Sequence, residues 1–341
     1  MTVADARVAL PGSGGSHNVD DYLSFAAEEY LRAYIARGGT AVKLMVTANR
    51  DVAGRVATGL AGLCGPAGGG FLYVSVDAAR TRVHLMDQLF AAVARQVDWM
   101  TLAGRVLRDV YRQAGFPAAG PGDAELTVAA VAAHHEVDAT ELYRSVRRTL
   151  ESAVLADHGL AHEFRVAMLR LGQALMAHGD VSGADQAAVL GWLQGEKVPA
   201  AQLRSVLLHG RIARHNARPM LVSLTRWVRR AGLAGTVLQL DLERIAVARR
   251  PAAEERAGFY YSKAAALDAY ELLRQLIDAT DDLAGLFVAV LLPPEMVTDE
   301  SRGLPAYSAL HLRVADEVRD RNRANPYAAL VRLDAGLEAV R

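Results

Sequence analysis

Two apolar runs, TAVKLMVTA (40–48) and GGGFLYVSVDA (68–78), flank a helix-forming stretch, RDVAGRVATGLAGLC (50–64). Each run has the length and residue types of a strand. Strand, helix and strand joined by connections this short make a βαβ unit, which requires a parallel sheet. At 341 residues the chain has room for one large α/β domain or two smaller ones.

The rest of the chain fits around that unit. Residues 1–18, with PGSGGS, read as a flexible arm. DDYLSFAAEEYLRAYIARGG carries apolar residues at spacings of three and four. It reads as an amphipathic helix capped by Asp20 or Asp21 and ended by Gly38 and Gly39. Residues 82–178 read as wholly helical, followed by a further helix in DQAAVLGWLQGE. The sheet resumes late, with helix ARPMLVSLTRWVRRAGLAG, strand TVLQLDL, helix SKAAALDAYELLRQLIDATDDL and strand GLFVAVLLPP. A last helix in GLPAYSALHLRVADEVRDR is expected to close the fold. The domain reading is an arm (1–18), a first α/β part (19–81), a helical insertion (82–200) and a second α/β part (201–341).

Composition excludes several classes. Formal net charge is zero, so no whole-molecule field steers the chain to nucleic acid. One cysteine, Cys64, excludes an internal disulfide and a multi-cysteine metal site. No secretory signal is visible, and the longest apolar stretch, LAGLFVAVLLPP, is too short to span a bilayer. The expectation is a cytoplasmic protein with no membrane partner.

The βαβ unit is where a nucleotide-binding protein carries its phosphate loop, G-x-x-x-x-G-K-[ST]. Glycines let backbone N–H groups wrap the phosphates, the lysine reaches the outer phosphates and the hydroxyl holds magnesium. The three lysines, Lys43, Lys197 and Lys263, follow Val42, Glu196 and Ser262, so none completes a Gly-Lys pair. In register with the strand, Thr47 stands at the first glycine, and Val52, Ala53 and Gly54 stand at the Gly, Lys and Ser/Thr positions. Asn49, Arg50 and Asp51 then take the place of the loop's flexible centre. A gapped reading puts Gly54-Arg55 at the Gly-Lys pair, with Val56 lacking the hydroxyl. The second nucleotide signature is an apolar strand ending in a metal-orienting Asp followed by a base. TVLQLDLERI supplies Asp241, but Leu242 fills the base position. Glu243, one residue further along an extended chain, points to the opposite face.

Five segments in order, EEYLRAYIARGGTAVKLMV, VLGWLQGE, IARHNARPMLVSLTRWVRRAGLAGTVLQLDLERI, DAYELLRQLIDATD and RGLPAYSALHLRVADEVRDRNRANPYAALVRLD, resemble the BREX-system ATP-binding domain family over roughly residues 20–335. These are P-loop ATPases of AAA+/STAND type associated with bacterial anti-phage defence. The resemblance implies an α/β fold: a P-loop NTPase-like parallel sheet flanked by helices, with a large all-helical insertion. It also implies ATP and magnesium as cofactors, Asp241 as the metal ligand and Arg313 as a sensor or finger on nucleotide charge. Protein partners in a multi-component system follow, and so does the prospect of a homo-oligomer. The departures over residues 47–55 and at Leu242 make the leading expectation a non-hydrolysing scaffold or regulatory subunit. The alternative is an ATPase with an unusual site at Thr47, Asn49, Gly54, Arg55, Asp241 and Glu243.

Other constellations are weaker. VAAVAAHHEVDATELYRSVRRTL reads as a helix-turn-helix with Arg144, Arg147 and Arg148 on its second helix, although Glu136 takes the turn glycine's place. HGRIARHNARPM adds Arg211 and Arg214, for an acidic partner or nucleic acid. His158 and His162, four apart, have the spacing of one helical turn and of a zinc pair, with no third ligand.

Overall fold

A computed structural model describes residues 15–65, 70–120, 122–249, 258–315 and 324–335. Its centre is a six-stranded sheet in which every pairing is parallel. The strands are β1 (His17–Asn18), β2 (Thr40–Thr47), β3 (Leu72–Asp77), β4 (Thr236–Asp241), β5 (Leu286–Leu292) and β6 (Leu330–Asp334), in the order β1-β6-β2-β5-β4-β3. This is the expected P-loop NTPase-like α/β architecture.

All seven residues of β5 are buried, as expected for a central parallel strand covered on both faces. One face packs Met45, Phe287, Ala289 and Leu291 against α1 (Val19–Phe25), the wider π-type coil Ala26–Arg32 and α2 (Arg50–Cys64). The opposite face, with Leu44, Val74, Val76, Leu240 and Val290, shares one contiguous apolar core with the remaining helices. Leu44 and Met45 serve opposite faces because side chains alternate along a strand.

Between β3 and β4 the described residues form α3 (Met86–Ala94), α4 (Trp99–Gln113), α5 (Val128–His135), α6 (Ala139–Leu155), α7 (His162–Met176), α8 (Gly183–Leu193), α9 (Ala200–Ser205) and α10 (Arg214–Arg230), with no strand. After β4 come α11 (Lys263–Asp278), then β5, α12 (Glu295–Thr298), α13 (Ser308–Val314) and β6.

Two strands were not expected. His17–Asn18, assigned to the arm, pair with Leu333–Asp334 of β6; residues 1–14 of that arm lie outside the described residues. Of the closing helix the described residues show α13; residues 316–323 lie outside them, and the described chain resumes with β6 beside β2. The first helix is capped by Asn18, whose side chain accepts from the Asp20 and Asp21 N–H groups, rather than by either aspartate. His158 lies in the turn before α7, which begins at His162, so the pair does not span one helical turn. No group of metal-ligating side chains that could hold an ion occurs among the described residues. No helix among them is long and apolar enough to cross a membrane.

A two-residue connection and an arginine at the sheet's carboxyl edge

The chain leaves β2 for β3 on one side of the sheet and returns to β6 on the other. The carboxyl end of β2 is therefore the point where the winding reverses, the position at which open α/β sheets place ligands. The candidate site lies here, between the ends of β2, β3 and β4.

Thr47 is the buried last residue of β2, opposite Leu333. Helix α2 begins at Arg50, so only Ala48 and Asn49 join strand to helix. The helix expected over 50–64 forms with those bounds, and the alignment of residues 50–54 with a phosphate loop is corrected accordingly. Arg50 and Asp51 form the first turn of α2, and Gly54 lies inside the helix with open space beside it. Asn49 caps α2: its side-chain oxygen accepts the Val52 N–H at 2.9 Å, as a side chain of this type does at an N-cap. The physical reason for the correction is local. An N-cap residue followed directly by a helix-compatible run starts the helix at once, without glycines to hold the backbone in a loop.

Asp77 and Asp241 end adjacent strands in register with one another. Asp241 is largely screened from water, and this burial raises its carboxyl above the usual range. The nearby charges of Asp77 and Glu243 act in the same direction, while the Glu243 N–H bonded to Asp241 Oδ1 at 2.9 Å and the charge of Arg50 oppose them. Glu243 does not point to the opposite face as an extended chain would place it. The backbone turns at Leu242 into a short 3₁₀ coil, Glu243–Ala246, and that turn brings Glu243 back over the crevice. There Arg50 Nη2 donates to Glu243 Oε1 at 2.9 Å and Arg50 Nε donates to Oε2 at 3.2 Å. The bond to Glu243 raises the guanidinium's affinity for its proton, with added attraction from Asp241 and Asp77. A cation rooted on the first turn of α2 thus faces three carboxylates at the ends of β3 and β4.

Sequence reasoning grouped Asp241 and Glu243 but missed Arg50 and Asp77 as their neighbours. The signal for Asp77 was available: an acid closing the second apolar run. Arg50 was legible as the start of a helix, but its partner lies 193 residues away and leaves no local pattern.

The other candidates lie elsewhere. Arg55 turns away from Asp241 toward α1 and the end of β6, donating to Asp20 Oδ2 at 2.7 Å and to the Ala335 carbonyl at 3.2 Å. Arg313 makes a two-pronged pair with Asp278, Nε to Oδ1 at 2.6 Å and Nη2 to Oδ2 at 2.9 Å. Asp278 is the last residue of α11, the helix that descends from the carboxyl edge before β5, so Arg313 is held toward the amino edge. Arg302 is buried: its Nε donates to the Ile245 carbonyl at 2.8 Å and a guanidinium nitrogen donates to the Tyr261 carbonyl, fixing the chain just beyond Glu243.

The helical hairpin forms as expected, with α5 and α6 joined through Glu136, which adopts the left-handed conformation usually given to glycine (φ 55°). Arg144, Arg147 and Arg148 are exposed. Arg147 pairs with Glu151 at 2.7 Å and Asp180 at 3.2 Å, and Glu136, Asp138 and Glu141 crowd the start of α6. Arg211 lies in an irregular segment and Arg214 opens α10.

The model of the family described as "BREX system ATP-binding protein BrxC/D" matches residues 124–339, more than half of the chain. The chain belongs to this family. The matched span takes in Asp241, Glu243, Arg302 and Arg313, and begins downstream of Asn49, Arg50 and Asp77. No curated protein and no solved structure matches the chain.

Proposed function

We propose that this BREX-family protein is a non-hydrolysing scaffold or regulatory subunit, built on an ATP-binding fold whose phosphate position is filled from within. The observation that carries this reading is the Arg50–Glu243 pair beside Asp241. In a working site the helix after the first strand presents backbone N–H groups and a lysine to phosphate, and the acids of the third strand orient magnesium. Here a two-residue connection leaves no length of backbone to wrap a phosphate chain. Asn49 already accepts one first-turn N–H. A guanidinium supplies the positive charge that the carboxylates need. The donor set does not fit magnesium either, since no described carboxylate group is arranged to hold an ion. ATP and magnesium are therefore assigned no step.

Family membership supports protein partners within a multi-component bacterial system, with phage defence as the setting. Such a fold without turnover contributes surfaces rather than chemistry. A cytoplasmic location and self-association belong to the same reading.

Titration with a fluorescent ATP analogue, with and without magnesium, tests it together with phosphate release. The expected result is no saturable binding and no release above background. Magnesium-dependent hydrolysis abolished by Asp241→Asn would sink the reading. It would favour an ATPase in which Arg50 contacts phosphate.

A further inference from the structure

The carboxyl edge carries a second arrangement that the Arg50 crevice does not use. Beyond Asp77 the chain loops through residues 78–85 before α3, and this loop meets the starts of two helices. Helix α10 ends at the amino edge, where Arg229 donates to the Ile35 and Ala36 carbonyls at 3.2 and 3.0 Å, so its first residue, Arg214, stands at the carboxyl edge. Helix α11 begins on this edge with Lys263.

His84 marks where these elements converge. Its ring lies 5.4 Å, edge to face, from that of Tyr261. Burial lowers its proton affinity; the charges of Arg214 and Arg82 act the same way, and Asp268 opposes them. Arg82 and Arg214, distant in sequence, are thus both close to one imidazole. Arg82 stacks over Phe259, 4.9 Å from the ring centroid. Arg211 precedes Arg214 on a segment anchored by Trp192, whose indole N–H donates to the Gly210 carbonyl at 2.6 Å. Arg82, Arg211, Arg214 and Lys263 are all exposed, and none has a carboxylate partner among the described residues.

Tyr260, 38% exposed, lies in the chain between Phe259, which Arg82 covers, and Tyr261, which His84 meets. Its hydroxyl donates to the Ala248 carbonyl at 3.2 Å, and the Arg302 guanidinium sits 5.8 Å from the ring centroid. The ring is held at both ends and partly open. Exposed cations on separate elements at one edge, with an open aromatic ring on the segment that also carries Phe259 and Tyr261, are what single-stranded nucleic acid needs: cations for the phosphates and a flat surface for a base. An acidic peptide would use the cations and leave the ring unexplained. The α5–α6 hairpin carries carboxylates at its leading end and suits DNA less well.

We propose that the rim of Arg82, Arg211, Arg214 and Lys263, with Tyr260 as its stacking surface, binds single-stranded nucleic acid. The zero net charge of the chain does not oppose this, because a local group of cations is enough to hold a short strand.

Fluorescence anisotropy of the full chain with a labelled oligo-dT of about 20 nucleotides tests the proposal. Raising salt from about 50 to about 200 mM is expected to weaken binding roughly twenty- to fiftyfold, as three or four phosphate contacts on a single strand imply. Arg82→Glu with Arg214→Glu should weaken it roughly tenfold or more, as should the independent pair Arg211→Glu with Lys263→Glu. Tyr260→Ala should cost about tenfold with little change in salt slope. Circular dichroism and urea midpoints near the parent's qualify each variant. No binding at low salt overturns the proposal. So does binding unmoved by either charge-reversed pair, tighter binding of a duplex of the same length, or stronger competition by polyglutamate than by unlabelled oligo-dT. Loss of binding in Arg144→Glu with Arg148→Glu, with the rim pairs unaffected, would move the site to the helical hairpin and overturn it as well.

Discussion

Arg50 on the first turn of α2 holds both carboxylate oxygens of Glu243, a residue 193 positions away, at 2.9 and 3.2 Å. Arg50 is largely in solvent and Glu243 nearly half so, at 83% and 45% exposure. Such a pair has little to contribute to folding and much to the charge of the crevice. Arg50→Ala is expected to leave the urea midpoint unchanged. It should also push the Asp241 carboxyl further up, read in an NMR pH titration, because the opposing charge of Arg50 is gone. A large fall in stability would mean that the pair is a structural clasp instead.

Asp241 is an acid whose folded-state proton affinity is raised, chiefly by burial. Its contribution to stability is full at low pH and is lost as pH rises through the folded value, so at neutral pH its charge works against the fold. Asp241→Asn keeps the acceptor for the Glu243 N–H. The variant is expected to unfold at higher urea than the parent at pH 7. The difference should close as pH falls toward 4.

Lys43 has the opposite sign. Its ammonium lies 4.5 Å from the Tyr30 ring centroid and donates to the Tyr327 and Ala328 carbonyls at 2.6 and 2.7 Å; burial lowers its pKa to about 8. Above that value the folded chain has shed a proton that the unfolded chain keeps to about 10.4. Stability should therefore rise with pH through this window, by about 1–2 kcal/mol between roughly pH 7.5 and 9.5. Lys43→Met should lack that rise in urea titrations at the two pH values.

Gln96 closes the outer edge of β3: its Oε1 accepts the Ser75 N–H at 3.0 Å and its Nε2 donates to the Ser75 carbonyl at 2.9 Å. The amide takes the place of a neighbouring strand on an edge that would otherwise recruit one. Gln96→Ala is expected to cost about 0.5–1.5 kcal/mol. It should also increase concentration-dependent association on size-exclusion chromatography. A monodisperse variant of parental stability would show that the edge needs no cover.

Arg313→Ala is expected to speed hydrogen exchange in α13 by freeing Asp278, while leaving oligonucleotide anisotropy unchanged. An effect on binding without one on exchange would give Arg313 a role at the carboxyl edge.

Strands β2, β3, β4 and β5 were legible because each is a nearly unbroken apolar run in a fully covered sheet. Strands β1 and β6 were not. His17 and Asn18 carry no strand signal and are held by pairing alone. Leu330–Asp334 interleaves Leu, Val and Leu with Arg and Asp over only five residues. At the site, Asp241 was legible as the end of an apolar strand. Glu243 was misplaced because its direction depends on a turn that Arg302 stabilises from 57 residues away through the Ile245 carbonyl. Arg313 carried an implied role at the nucleotide, yet its tie to Asp278 is tertiary and leaves no local pattern.

The two-residue link between Thr47 and Arg50 also bears on reversibility. Had the phosphate-gripping residues merely been exchanged for others, a few substitutions could restore them. Here glycine and lysine written into positions 52–54 would become helical residues of α2, with the crevice no better able to cradle an anion. A phosphate loop would need added chain length between strand and helix, a lengthening that also displaces the Asn49 cap and lifts Arg50 off Glu243. Measured in mutational steps, this chain is far from one that wraps phosphate, and point mutation alone gives it no short way there.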